Sequence, residues 1–383
     1  MAPADQDVID EELVMFEDAV RRFLDEHAPA SAIARWREQG VVDRELWLKA
    51  GEAGLLCPSM PVEYGGAGAD FRFDAVILRQ IMLHGLDGWG VPLHNAIVAP
   101  YIRHYGSDEQ KLRWLPRLAT GELVGAIAMT EPGAGSDLQA VKTRAVRDGD
   151  GYRISGAKTF ITNGQTANLV IVVAKTDPAA GGRGISLVVV ETDEAEGFRR
   201  GRNLDKIGME LADTSELFFD DVPVPAANLL GEGEGQGFVQ LMQQLPQERL
   251  LIAHECIAII ERAIEVTLAY VRERTAFGKP LIDFQNSQFV LAEAKTEGEV
   301  TRVFVEHCTR LLVEGRLDAA TASMAKLWAS EAAQRIVDAC LQLHGGYGYM
   351  NEYPIAQLYK DVRVKRIYGG TSEVMKLLIA RSL

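Results

Sequence analysis

Cysteine is scarce and scattered. Cys57, Cys256, Cys308 and Cys340 are the only four in 383 residues and form no CxxC pair. That excludes a disulfide framework and a cysteine-based zinc site, and it leaves reduced, buried thiols as the expectation. No run approaches the roughly 18 uninterrupted apolar residues that a membrane-spanning helix needs. The acidic opening stretch MAPADQDVIDEELVMFEDAV lacks the basic-then-apolar order of a secretory signal and the arginine-rich texture of a transit peptide. A cytoplasmic location is the resulting expectation. Positive charge is in deficit as well, with 40 Lys and Arg against 54 Asp and Glu and a net charge of -14. A nucleic-acid backbone partner is excluded, because such binders need clustered positive surface to displace counterions. A small anion in a local basic pocket is still allowed.

What the chain does have is length and apolar content, 47% hydrophobic, enough for a large core and for two or three structural units. Apolar residues recur at helical spacing over about 7–120, as in Leu13, Phe16, Val20, Phe23 and Leu24, with breaks at PVEYGGAGAD and YGSDEQ. Over about 122–230 the texture changes to short β-branched runs, NLVIVVAKT and ISLVVVET, separated by turn signals such as RDGDGY and NGQ. Long amphipathic segments return at about 236–275, 284–314, 318–344 and 354–382, enough for a four-helix bundle. The expected fold is α+β and multidomain, with a helical N-terminal domain (1–121), a central β domain (122–232) and a C-terminal helical bundle (233–383). Between the last two, GEGEGQG alternates Gly231, Gly233, Gly235 and Gly237 instead of matching GxGxxG, and no βαβ pattern surrounds it. It is expected to be a flexible linker.

Five stretches could carry chemistry. AMTEPGAGSD, 128–137, ends a strand, and Gly133 and Gly135 would let backbone amides approach a ligand, with Thr130 and Ser136 supplying hydroxyls. An ordinary strand-ending turn would look the same. In KTFITNG, 158–164, Phe160 and Thr162 stand two residues apart and would share one side of a strand, flanking a planar group or simply facing core and surface. VRERTAFGKP, 271–280, closes a long helix with Arg272, Arg274 and Lys279 around Phe277. Basic residues suit a helix C-terminus without any ligand, and a phosphate contact is the alternative. LQLHGGYGYMNEYP, 341–354, permits close backbone approach to something flat or to another subunit, while His344 beside the glycines is expected to be structural. In RIYGGTSEV, 366–374, two glycines interrupt a helix-like stretch at a cost of about 1 kcal/mol each relative to alanine. Alone, they suggest a turn.

Taken together and in this order, AMTEPGAGSDLQA, KTFITNG, RTAFGK, QLHGGYGYMNEYP, YKDVRV and IYGGTSEV make the chain resemble the acyl-CoA dehydrogenase family over essentially its whole length. The resemblance implies a helical N-terminal domain, a β-barrel-like central domain and a C-terminal four-helix bundle, with no metal. It also implies FAD held between β domain and bundle and an acyl-CoA thioester oxidised at Cα–Cβ to a trans-2-enoyl thioester. By matching motif positions, Met129, Thr130, Phe160 and Thr162 would contact the isoalloxazine, and Ser136 would position FAD or the CoA part of the substrate. Arg274, Phe277 and Gln285, with Gln342, Gly345 and Gly346 from a neighbouring subunit's face, would hold the dinucleotide portion, and Thr371 and Glu373 would complete its pocket. That sharing implies a homotetramer built from dimers. Electron-transfer flavoprotein is the implied acceptor. The alternatives are a related flavoenzyme acting on carrier-protein thioesters or passing electrons to oxygen, and a non-catalytic flavin- or acyl-CoA-binding protein.

In the family a carboxylate removes the α proton as the β hydrogen leaves as hydride, while two hydrogen bonds to the thioester oxygen stabilise the developing charge. One donor matches the Gly369 amide and the other is the ribityl 2'-hydroxyl. Most members read YEGT where this chain has Tyr368-Gly369-Gly370-Thr371, so their glutamate base is missing. LPQERLLIA, 245–253, resembles the helix that carries the base in long-chain and isovaleryl-CoA dehydrogenases, which also have glycine at the position of Gly369. The resemblance therefore implies that Glu248 is the base and that Gly369 keeps its amide, with Arg249, Tyr368, Gly369 and Gly370 around the substrate. Long, medium or branched acyl groups in fatty-acid or branched-chain catabolism are the expected substrates. Pro246 is expected to start or kink a helix, putting Glu248 in its first turn. Two smaller departures are Phe160, where tryptophan is common, and Gln357, where Lys or Arg is usual, while Asp361 is retained.

Overall fold

The structure, a computed structural model, describes residues 3–383, with side chains from residue 11 onward. The chain folds as two compact units: Met1–Ile77 with Gly88–Lys206 and Glu210–Leu245, and Leu78–Asp87 with Ile207–Met209 and Pro246–Leu383.

The first unit begins with helices α1 (Pro3–His27), α2 (Ala30–Gln39), α3 (Arg44–Glu52) and the first half of α4 (Phe71–His84). The helical spacing read from the sequence buries Val20, Phe23 and Leu24 on one face of α1 and leaves Val14 and Met15 outside. Further on, α5 (Val91–Leu93) runs through a π turn at His94–Val98 into α6 (Ala99–Tyr105). Then α7 (Asp108–Ala119) opens with a reciprocal capping box between Ser107 and Gln110.

The rest of this unit is a curled seven-stranded sheet made of β1 (Gly125–Ala128), β2 (Arg144–Asp148), β3 (Gly151–Ile161), β4 (Leu169–Lys175), β5 (Ile185–Glu191), β6 (Phe198–Asn203) and β7 (Ser215–Pro225). The order is β1-β4-β2-β3-β7-β6, and β5 also pairs with β4. Strands β4 and β5 read as continuous apolar runs because both of their faces are covered. Leu169, Ile171 and Val173 join Trp114, Leu115 and Tyr101 of the helices in one core, while Val170, Val172 and Ala174 face Ile154, Leu217 and Phe219 in another. Register shifts in β3 between Ile154 and Gly156 and between Lys158 and Ile161 add local bend. The stretch after β7, expected to be a flexible linker, is tied down. Gly231 N–H donates to Tyr105 O and Gly235 N–H to Ser186 Oγ, both at 2.9 Å, and Glu234 accepts from Arg147 and Tyr152.

The second unit is helical. It contains most of α8 (Gly237–Glu273), a two-residue hairpin of β8 (Thr275–Ala276) and β9 (Lys279–Pro280), then α9 (Gln285–Val313), α10 (Ala319–His344), α11 (Pro354–Val362) and α12 (Ser372–Ala380). Helix α10 packs on α9, α11 and α12. Its buried Ala322, Ala325, Ala329, Ala332 and Ala333 let these neighbours approach closely. The fourth amphipathic segment, 354–382, is broken in the middle. Gly369 (φ 63°) and Gly370 (φ 97°) adopt left-handed backbone that no right-handed helix can continue, and Thr371 caps α12 by accepting from Val374 N–H. All four cysteines are free and buried, and no described helix is long and apolar enough to cross a membrane.

Candidate active site

In the first unit the loop after β1 is fixed to the end of β3. Thr159 N–H donates to Thr130 O at 2.9 Å, and the buried Lys158 ammonium reaches Met129 O (3.0 Å), Val173 O (2.7 Å) and Glu131 Oε1 (2.9 Å). Glu131 in turn accepts from the Lys142 and Thr143 amides. Burial pushes the Lys158 amine down to about 8, against the pull of Glu131. Met129 and Thr130 are thereby tied to the end of β3 that carries Phe160. The expected strand alternation of Phe160 and Thr162 does not occur. Strand β3 ends at Ile161, a bulge precedes it, and Phe160 has φ 59°. Its ring is 66% exposed, a large apolar face left in solvent at the rim of a polar loop. Ser136 lies further along that loop, also exposed, and Gly133 and Gly135 have open space where a Cβ would be.

In the second unit a cleft of about 510 Å³ is lined by Tyr270, Arg274, Gln342, Gly345, Gly346 and Tyr347, among others. Three features shape it. Helix α10 ends at His344, whose ring stacks on Tyr270 (centroids 4.3 Å apart) and whose carbonyl accepts from Tyr270 Oη at 3.1 Å. Gly345 then turns at φ 57°, and neither Gly345 nor Gly346 has an atom within 4 Å of a would-be Cβ. The Arg274 guanidinium lies 5.4 Å from the Tyr347 ring centroid. Burial lowers His344 against the pull of its hydrogen bond to Cys340 O. Phe277 and Gly278 form the tip of the hairpin after α8, both with positive φ, and Phe277 is 97% exposed. Gln285 opens α9, while Thr371 and Glu373 sit at the start of α12. A guanidinium beside an aromatic ring, a carboxamide and open glycine backbone suit an anionic dinucleotide arm, and the bare Phe160 face suits a planar ring. FAD fits both donor sets.

The third assembly is organised by α8. Pro246 lies inside this helix and does not start it, so Glu248 stands roughly three turns from the N-terminus, beyond the reach of the end dipole. Glu248 is buried, and Arg249 beside it is also buried, donating to Ser323 Oγ of α10 at 3.4 Å. Burial lowers the Arg249 guanidinium and the Glu248 charge raises it, with burial the larger. Positions 248, 252 and 255 follow i, i+4, i+7 spacing and form one stripe. Two of the three meet the glycine turn directly: a Cβ on Gly369 would fall 2.3 Å from Ile252 Cδ1, and Tyr368 Oη donates to Glu255 Oε2 at 2.5 Å. Gly369 therefore faces the stripe that carries Glu248.

Buried ions surround this turn. Lys365 Nζ lies 3.2 Å from Glu255 and 3.3 Å from Asp87. Burial alone would lower Lys365, but the two carboxylates outweigh it and hold the amine well above its ordinary value. Asp361 accepts from Met209 N–H and from the Gln357 amide at 2.9 and 3.1 Å, so a neutral donor occupies the place where an ion pair would otherwise be made. Lys326 of α10, fully buried, donates to Gly370 O at 2.7 Å. Sequence reasoning misses Lys158, Glu255, Lys326 and Lys365. Lys158, Glu255 and Lys365 lie inside or beside quoted motifs, whereas Lys326 lies in none.

Three family models match the chain: acyl-CoA dehydrogenase N-terminal domain at residues 10–122, middle domain at 126–222 and C-terminal domain at 235–383. The mitochondrial long-chain specific acyl-CoA dehydrogenase of Sus scrofa is 49% identical over 371 residues, 96% of this chain and 86% of its own length. A solved acyl-CoA dehydrogenase from Geobacillus kaustophilus superposes with a TM-score of 0.94 at 49% identity, covering 97% of this chain and 98% of its own. A glutaryl-CoA dehydrogenase from Mycobacterium smegmatis in complex with FADH2 does so at 0.88 and 30% identity, over 97% of this chain and 94% of its own. The chain belongs to the acyl-CoA dehydrogenase family.

Proposed function

We propose that the chain is an FAD-dependent acyl-CoA dehydrogenase that converts a saturated medium-chain, long-chain or branched acyl-CoA to the trans-2-enoyl thioester, with Glu248 as base. The observation that carries this assignment is the facing of Gly369 and the Glu248-Ile252-Glu255 stripe of α8. One position supplies an amide without a side chain, and the other supplies a carboxylate.

In the mechanism FAD supplies the hydride acceptor when bound. Met129, Thr130, Phe160 and Thr162 would form the rim against its ring. Arg274, Gln342, Gly345 and Gly346 would hold the anionic arm, with Phe277, Gln285, Thr371 and Glu373 adding contacts. Ser136 and Arg249 help to seat substrate or cofactor. The Glu248 carboxylate removes the proton from Cα, and the Gly369 N–H donates to the thioester oxygen on which charge builds. Tyr368 and Gly370 fix the turn that presents this amide.

The exposed rings of Phe277 and Tyr349 are what a partner copy would cover, which supports a homotetramer built from dimers. Electron-transfer flavoprotein is the proposed acceptor and the cytoplasm the proposed location.

Anaerobic mixing with a panel of acyl-CoA thioesters, C4 to C18 with branched members, tests the assignment. Bleaching of the flavin absorbance by at least one member is expected, and Glu248→Gln should retain FAD yet lose the bleaching. Normal bleaching in Glu248→Gln would remove Glu248 from the role.

A further inference from the structure

A glycine at 369 and another at 370 create a difficulty for catalysis. An oxyanion donor is effective only if it is aimed before the charge develops, yet two consecutive glycines are the least restrained backbone a chain can have. Neither residue has a side chain to lock, so the aim of the Gly369 N–H has to come from groups outside the turn.

The surroundings supply them on both sides. After the turn, the Lys326 ammonium donates to Gly370 O at 2.7 Å, and Lys326 is fully buried. Before the turn, Tyr368 Oη donates to Glu255, which is held by Lys365 and through it by Asp87. Helix α10 adds a brace, because Glu331 Oε1 accepts from Arg366 Nε at 2.8 Å and from Ser372 Oγ at 2.7 Å, one donor on each flank of the glycines. The backbone between residues 366 and 372 is thus gripped at both ends and at Gly370, with Gly369 at the centre. Of these grips, only the one from Lys326 falls on the glycines themselves. The ammonium also places positive charge beside the turn.

We propose that Lys326 is a positioning residue for the dehydrogenation: with Tyr368 as second anchor, it clamps the Gly369–Gly370 turn so that the Gly369 amide is aimed at the thioester oxygen. This rests on the dehydrogenase assignment above and adds to it a residue that touches neither substrate nor flavin.

The test uses the full-length FAD-loaded protein and a 3-thiaacyl-CoA, whose sulfur acidifies the α hydrogens so that the bound thioester ionises but is not oxidised. The ionised form is read from its long-wavelength absorption against the flavin and titrated with pH. In Lys326→Met the analogue should bind within about threefold of wild type, while its apparent pKa rises by about one unit, a roughly tenfold loss of ionised form. With a saturated acyl-CoA, kcat should fall about ten- to a hundredfold at nearly constant KM, and Lys326→Arg should recover most of it. An unchanged analogue pKa and kcat in Lys326→Met would overturn the proposal, as would a lower melting temperature with no movement of either. If Lys326→Met does not fold, Tyr368→Phe, which removes one hydroxyl from the second anchor, takes the same measurement with the same expectation and the same overturning result. A wild-type protein that fails to ionise the analogue would instead strike at the dehydrogenase assignment.

Discussion

A Cβ on Gly369 would lie 2.3 Å from Ile252 Cδ1, and Ile252 stands one helical turn after Glu248 on α8. Gly369 therefore packs against the helical stripe on which the proposed base, Glu248, stands one turn earlier. The same relationship limits how freely the base can be moved back. Glu248→Ala should reduce turnover by about 10²–10⁴-fold, the usual worth of a positioned base. Adding Gly369→Glu alone should recover little, because the new side chain must displace Ile252 and accept left-handed backbone at about 1–2 kcal/mol. Adding Ile252→Ala as well should give a measurable recovery of kcat. Equal rates for the double and triple variants would show that Ile252 is not the obstacle.

Lys158 and Glu131 form a buried pair that also holds Met129 O. Removing one partner of such a pair typically costs about 3–5 kcal/mol because the other charge is left buried. Lys158→Met should lower the melting temperature sharply and weaken FAD retention on gel filtration. Glu131→Leu with Lys158→Met should regain much of the stability without regaining FAD. Tight FAD in the double variant would mean that the pair does not position the loop after β1.

Asp74 is fully buried, and burial pushes its carboxyl up to about 7 in spite of hydrogen bonds from Ser59 and Asn95, while Oδ1 has no partner. A folded pKa above the unfolded value means that the folded state binds the proton more tightly. Stability from this group is full below about pH 4 and is lost as pH rises from there through 7, by roughly 4 kcal/mol at most. Asp74→Asn, which keeps an acceptor oxygen, should raise the melting temperature by a few degrees at pH 8.5 and by less than half as much at pH 5. Differential scanning calorimetry at both pH values decides it, and an equal gain at both would show that ionisation is not the cause.

Phe277 at the hairpin tip is 97% exposed. Phe277→Asp should shift the sedimentation profile toward smaller species and loosen FAD, since the ring is proposed to be covered by a partner copy. An unchanged oligomer with unchanged FAD content would place the partner elsewhere.

Much of the fold could be read from periodicity. The 3.6-residue spacing of Val20, Phe23 and Leu24, the doubly buried runs of β4 and β5, and the long apolar helices each report burial by their own local pattern. Local pattern failed where backbone departed from regularity. The bulge before Ile161 gives Phe160 a positive φ and breaks the alternation with Thr162, and α8 runs through Pro246 without starting there. Lysine buried in a core has no local signature at all, since the type is almost always solvated unless paired. Glu131 lies 27 residues from Lys158, and Gly370 lies 44 residues from Lys326.

By itself the sequence determined which groups are present: a glycine pair where a carboxylate could stand, a glutamate on a helix, and motif residues in a fixed order. Those are matters of chemical identity, carried by each residue alone. Only the tertiary structure decided that Gly369 faces the Glu248 stripe, that Ile252 fills the gap, and that Lys326 and Glu255 hold the turn from opposite sides. The physical reason is that two adjacent glycines do not specify their own conformation. Their geometry is imposed by buried charges contributed by other helices, and packing alone brings those charges to the turn.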